Sequence, residues 1–202
     1  MKIAIIGSGH IGGTLGKKWA AHGHEVMFGS RDPHSEKIRG LLEAAGTNAA
    51  AGFVQEAIDF GEVITLAVPG SEIELVLDSA GDLHNKILIN TAVLFDGRSA
   101  SEEVLRCAKN ARVVRAFHSV TWEVIANPQY GRANATMFIN GDDPAARETV
   151  ASLCKDIGFD PVDVGNTANM TTIERAIGSL WGILSPQFGR DYALRVLRRE
   201  VN

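Results

Sequence analysis

The chain opens on Lys2-Ile3-Ala4-Ile5-Ile6, which runs straight into Gly7-Ser8-Gly9-His10-Ile11-Gly12. An apolar run of β type, then Gly-x-Gly-x-x-Gly, then a helical pattern from Ile11 to His22 leaves few folds open. Gly7 allows a tight turn off the strand. Gly9 has no side chain, so a pyrophosphate can approach the backbone there. Gly12 lets the helix pack close to the strand. The first N–H groups and the positive end of the helix dipole then face the phosphates. The motif predicts dinucleotide binding.

The second strand is predicted at Glu25–Gly29, and the corner after it decides the cofactor. An NAD site usually places Asp or Glu there, on the ribose hydroxyls. Here the corner reads Gly29-Ser30-Arg31. A hydroxyl and a guanidinium suit a 2′-phosphate that a carboxylate would repel. This favours NADP(H), with Lys37 as a second positive group. The alternative leaves Arg31 in solvent and gives the ribose to Asp32. Asp32-Pro33 reads as the cap and first residue of a helix from Pro33 to Ala45.

Further strands are expected at 47–51, 62–69, 86–91, 112–117, 135–140 and 159–164. Helices are expected at 53–60, 71–80, 99–109 and 143–157. Ligands of a parallel sheet lie at the carboxyl ends of its strands. Ala67, Val68 and Pro69 should therefore border the cofactor, and Asn90, Thr91 and Ala92 stand at the next strand end. Asn90 reads equally as a buried turn former. His118 is the histidine placed at a strand end, either as a functional group or as a hydrogen-bonded structural one.

From Gly165 the pattern changes. Ile173, Ile177, Leu180, Trp181 and Leu184 fall on one face of a helix from Thr171 to Leu184 that Pro186 ends. A second short helix is expected over 190–199. The prediction is an α/β fold: a doubly wound, Rossmann-type, mostly parallel sheet with a short C-terminal helical tail. Residues 1–165 form the NADP-binding domain and 166–202 the tail, a lid or a homodimer contact.

Of 202 residues, 45% are hydrophobic and 22% charged, and the net charge is −4, with no basic block of the kind nucleic acids require. Cys107 and Cys154 lie in helical patterns without metal-ligand spacing. They read as free thiols of a cytoplasmic protein, with no metal site. No window is long and apolar enough to span a membrane.

Five stretches together resemble the NADPH:F420 oxidoreductase family, which moves hydride between NADP and a deazaflavin. They are Ile-Gly-Ser-Gly-x-Ile-Gly-Gly, Gly-Ser-Arg-Asp-Pro, Ala-Val-Pro, Val-Val-Arg-Ala-Phe and Gly-Phe-Asp-Pro-Val-Asp-Val-Gly. The resemblance runs from Met1 to about Val164. The chain is also similar to the cytoplasmic reductase domain of the Steap metalloreductases, which passes NADPH electrons to a flavin. The resemblance implies that Ser8, Gly9, His10 and Ile11 hold the pyrophosphate and that Ser30 and Arg31 hold the 2′-phosphate. It also implies that Val68 and Ile73 line the adenosine and ribose side, with Ala92 near the nicotinamide. Two positions depart from the family: His118 stands where Asn is common, and Gly70 where a bulky aromatic is common.

Reduction of an alcohol, carbonyl or imine needs a placed acid or base. The region from Gly165 to Asn202 has no lysine, and Glu174, Asp191 and Tyr192 read as surface or capping groups. Transfer between stacked rings needs proximity and exclusion of water instead. The expected function is hydride transfer between NADPH and a small-molecule ring acceptor, coenzyme F420 or a flavin, with His118 steadying the acceptor's charge. The alternatives are an NADPH-dependent imine or carbonyl reductase and a non-catalytic NADP(H)-sensing module.

Overall fold

Strand β1 (Lys2–Ile6) alternates its side chains between two cores: Ile3 and Ile5 enter one, Ala4 and Ile6 the other. A strand buried on both faces must be covered by helices on both, which is the doubly wound arrangement. A computed structural model describes residues 1–199. The parallel strands β2 (Glu25–Ser30), β3 (Ala49–Phe53), β4 (Val63–Leu66), β5 (Ile87–Asn90) and β6 (Arg112–Arg115) follow. After a two-stranded hairpin, β7 (Gln129–Tyr130) and β8 (Ala133–Asn134), come β9 (Thr136–Gly141) and β10 (Asp160–Asp163). The eight-stranded order is β10-β9-β6-β5-β4-β1-β2-β3. Between β6 and β9 the direction reverses, through the pairs Val114–Gly141 and Arg115–Asn140. The amino end of β9 therefore runs past the carboxyl end of β6.

The helices are α1 (His10–Ala21), α2 (Glu36–Ala45), α3 (Val54–Phe60), α4 (Ile73–Ala80), α5 (Ala100–Cys107), α6 (Trp122–Ala126), α7 (Pro144–Asp156) and α8 (Met170–Phe188). Ser99 caps α5 by accepting from Glu102 N, and Asp143 caps α7 by accepting from Ala146 N. No helix among the described residues is long and apolar enough to cross a membrane. Cys107 and Cys154 are buried free thiols.

Four expectations need correcting. Helix α2 starts at Glu36 rather than Pro33, because Asp32 closes a local turn: its carboxylate accepts from His34 N and its carbonyl from Ser35 N. Pro186 does not end α8. It sits exposed in the last turn, where one lost backbone bond costs little, and the helix stops at Gly189, whose φ of 73° breaks it. The region 190–199 contains no helix. It runs back as a strap along β9, beyond the point where β6 has stopped. Leu194 O accepts from Thr136 N, and Val196 N donates to Thr136 Oγ1, so a strand edge left open by β6 is satisfied. Finally, the stripe on α8 is only half covered: of the whole helix only Met170 is buried, and Leu180 is exposed. Residues 200–202 of the expected tail lie outside the described residues.

Candidate nucleotide-binding site

The carboxyl ends of β1, β2 and β4 open into a groove of about 680 Å³, within the size range of small-molecule sites. Gly7, Ser8 and Gly9 line it, as do Ser30, Arg31 and Lys37, and Ala67, Val68 and Pro69. Each glycine of the motif answers to a different neighbour. Gly7 has φ 109°, and a Cβ there would strike Ala67. At Gly12 a Cβ would strike the carbonyl of Gly7, so helix and strand touch through it. At Gly9 a Cβ would meet nothing within 4 Å. Nothing inside the chain requires the missing side chain of Gly9, which leaves the backbone there open to an occupant of the groove.

Two helices start at this groove with unmet donors. Gly9 precedes α1 and offers no side-chain cap. Ser35 precedes α2, and its hydroxyl donates to Asp32 O (2.9 Å) instead of capping. The first N–H groups of both helices are free for an anion. Arg31 and Lys37 add two cations, and neither forms an ion pair among the described residues. Asp32 also lines the groove, but its Oδ1 is taken by His34 N at 3.1 Å. The corner thus brings two unpaired cations to the groove, beside a carboxylate that holds a turn through one of its oxygens.

Other predicted residues stand apart from the groove. Ile11 packs partly buried against the core, and the exposed His10 stacks on Trp122 with centroids 5.1 Å apart. Ile73 is fully buried in the core under α4 and does not line the groove. Glu72, Val76 and Ser79 do, and their spacing of four and three along one helix face was the signal for them. Asn90 is the buried turn former: its Oδ1 accepts from Ala92 N and its Nδ2 donates to Ala100 O. Ala92 is buried as well, and its carbonyl accepts from Arg115 Nη1.

His118 lies deeper than expected. Phe117 adopts φ 60°, and its ring enters the core against Trp19 and Phe159. Both nitrogens of His118 are sealed from solvent without a hydrogen-bond partner. Burial, aided by the charge of Arg115, holds its pKa well below the usual histidine value, so the ring is neutral at pH 7. As placed, neither ring nitrogen is open to the groove or to solvent.

The three remaining candidate acids are also engaged. Glu174 accepts from Ser99 Oγ (2.6 Å), Ala100 N, Ser101 N and Arg115 Nη2 (3.0 Å), so it caps α5 from another helix. Asp191 accepts from Tyr130 OH at 2.8 Å. Tyr192 stacks on Trp181, with its hydroxyl 3.4 Å from Ser185 Oγ.

Residues 2–93 match the family described as NADP oxidoreductase, coenzyme F420-dependent. The F420-dependent NADP reductase of Methanothermobacter marburgensis is 27% identical over 200 residues, 87% of this chain and 88% of that protein. The metalloreductase STEAP3 of Rattus norvegicus is 29% identical over 180 residues, 86% of this chain but only 36% of that protein. This chain therefore spans about a third of the metalloreductase's length. A crystal structure of a candidate F420-dependent NADP-reductase from Arthrobacter sp. shares the fold, with a TM-score of 0.86 and 24% identity over 98% of this chain and 100% of that one.

The chain is an NADP-dependent oxidoreductase, a relative of the F420-dependent NADP reductases.

The groove of this oxidoreductase fits NADP(H) on its own geometry. The turn from Gly7 to Gly9 and the start of α1 suit the pyrophosphate, and Arg31, Lys37 and the start of α2 suit the 2′-phosphate. Gly9→Ala separates binding from folding. The variant is expected to melt with the wild-type protein, because its Cβ meets no protein atom, yet to bind NADP(H) at least tenfold more weakly. A calorimetric scan and a fluorescence titration check both halves. Unchanged affinity would show that no ligand approaches Gly9.

Proposed function

We propose that the protein transfers hydride between NADPH and a flat ring acceptor, a deazaflavin such as F420 or a flavin. The observation that carries this reading is the state of its acids. Glu174, Asp191 and Tyr192 are committed to structural bonds, and His118 is sealed and neutral. Carbonyl or imine reduction asks for a placed proton donor. Ring-to-ring transfer asks mainly for proximity and a dry contact. When bound, NADPH supplies the hydride, and the acceptor takes one further proton from solvent, leaving NADP⁺ and the reduced ring.

The chain's own residues orient the partners. Ala67, Val68 and Pro69 present backbone and small apolar groups at the end of β4. Ala92 is fixed from behind by Asn90 and Arg115, which sets the end of β5. The strap and α6 close the side beyond β6: Thr121 Oγ1 donates to Arg190 O, and Arg190 pairs with Glu123 at 3.1 Å. A second copy of the chain, packed along the exposed Ile183 and Phe188 of α8, completes the reading.

The test mixes protein and NADPH with riboflavin, FMN, F420, pyrroline-5-carboxylate or ferric salts and follows the nicotinamide absorbance. Oxidation by a ring acceptor is the expected result. Turnover with the imine alone would overturn the reading in favour of an imine reductase. Tight binding without any turnover would make the protein an NADP(H) sensor.

A further inference from the structure

A second, smaller cavity of about 180 Å³ lies at the far edge of the sheet, beside the edge strand β10. Arg132 enters it from the β7–β8 turn, Lys155 from the last turn of α7 and Arg195 from the strap. These residues are distant in sequence, and the return of the strap along β9 brings them together. One carboxylate, Asp160, shares the cavity, and no ion pair within 4.0 Å involves any of the three cations among the described residues. The helix dipole accounts for a lysine at the carboxyl end of α7, but not for the two arginines. Arg195 is held in place, its Nη1 donating to Asn134 O at 3.0 Å.

The charges select the ligand. Three cations against one carboxylate leave an excess of two positive charges, in a chain whose net charge is −4. Like charges around one small volume repel one another until an anion neutralises them. A phosphate group at neutral pH carries about −1.5 to −2, which matches that excess, whereas a carboxylate carries one charge. The guanidinium forks of Arg132 and Arg195 suit two phosphate oxygens, and Lys155 adds a point charge. The volume is below the roughly 300–1,000 Å³ of sites for larger organic ligands.

The place of the cavity separates it from the nucleotide groove. Trp19 Nε1 donates to Leu153 O at 3.0 Å, and His24 Nε2 lies 3.0 Å from Asp156 Oδ2. The last turn of α7 is therefore packed on the carboxyl end of α1 and the start of β2, whereas the groove opens at the amino end of α1. Helix α1 has 12 residues, about 18 Å at the usual rise. A ligand in the cavity leaves the groove free for NADP(H).

We infer that this cavity is a binding site for the phosphate dianion, filled independently of the nucleotide groove. The inference goes beyond hydride transfer and does not depend on the identity of the acceptor.

The experiment titrates inorganic phosphate calorimetrically at pH 8 into protein saturated with NADP⁺, so that the corner at Arg31 and Lys37 is already filled. One saturable site is expected. R132A/K155A keeps Arg195 and its bond to Asn134, and is expected to bind phosphate about tenfold or more weakly. Both replaced side chains are exposed, so the variant folds, and its melting temperature checks this. D160N removes the repelling carboxylate and is expected to bind phosphate about two- to fivefold more tightly. Acetate, with a single charge, is expected to bind about tenfold more weakly than phosphate. Absence of phosphate binding with NADP⁺ in place would overturn the inference, whether or not the nucleotide-free protein binds it. So would wild-type affinity in R132A/K155A, which would put the phosphate elsewhere on the protein. Acetate binding as tightly as phosphate would make the cavity a carboxylate site and overturn the assignment of its ligand.

Discussion

Arg31→Ala is expected to weaken NADPH binding roughly ten- to over a hundredfold while NADH binding changes little. A hydrogen bond to a charged group contributes about 1.5–3 kcal/mol, which converts to that range. The structure gives the reason for the asymmetry. Arg31 and Lys37 line the groove without carboxylate partners, and Asp32 uses Oδ1 to hold its own turn. Removing Arg31 takes away a partner that only the 2′-phosphate uses. Lys37 keeps part of the attraction, so R31A/K37A should lose more than either single variant. Fluorescence titrations with both nucleotides check this, and equal losses for NADPH and NADH would overturn the assignment of the corner.

The largest expected loss of stability comes from Glu174→Ala. The Arg115 side chain is 0% exposed and that of Glu174 13%, and their oxygen and nitrogen lie 3.0 Å apart. Burial pushes the Arg115 pKa down to about 10 against the pull of Glu174, so the guanidinium is still charged at pH 7. Taking Glu174 away leaves that charge buried and unpaired and strips the N–H groups of Ala100 and Ser101 at the start of α5 of their acceptor in the same step. Breaking such a pair costs about 3–5 kcal/mol. For a chain of this size that lowers the melting temperature by roughly 6–20 °C. R115M/E174M, which removes both charges together, should recover much of the loss. A double variant no better than the sum of the singles would show that the two residues act separately.

The Rossmann half of this molecule is legible because its constraints are local. A glycine at a tight turn, a cation after β2 and a proline after β4 each act within a few residues of where they are read. The failures share another cause. The region 190–199 has helical spacing, yet the open edge of β9 at Thr136 outweighs that propensity. Ile73 stands near the right strand end, but nearness to an end does not say which face of the helix turns inward. His118 has a reactive ring, and only the turn at Phe117 hides it. Glu174 reads as a capping group, but the helix it caps begins 74 residues earlier, a distance no local pattern covers. The short α6 and the β7–β8 hairpin leave too few residues for any periodicity to be seen.

The reversal between β6 and β9 has one more consequence. The strands that cradle the nucleotide are joined by long ladders, five residue pairs between β1 and β2, whereas the reversed edge is stitched on by two. A substitution at Arg132 or Arg195 therefore lies on the other side of a short seam from Gly9 and Arg31. The two edges of the sheet can therefore be altered one at a time, as two tools sharing a handle.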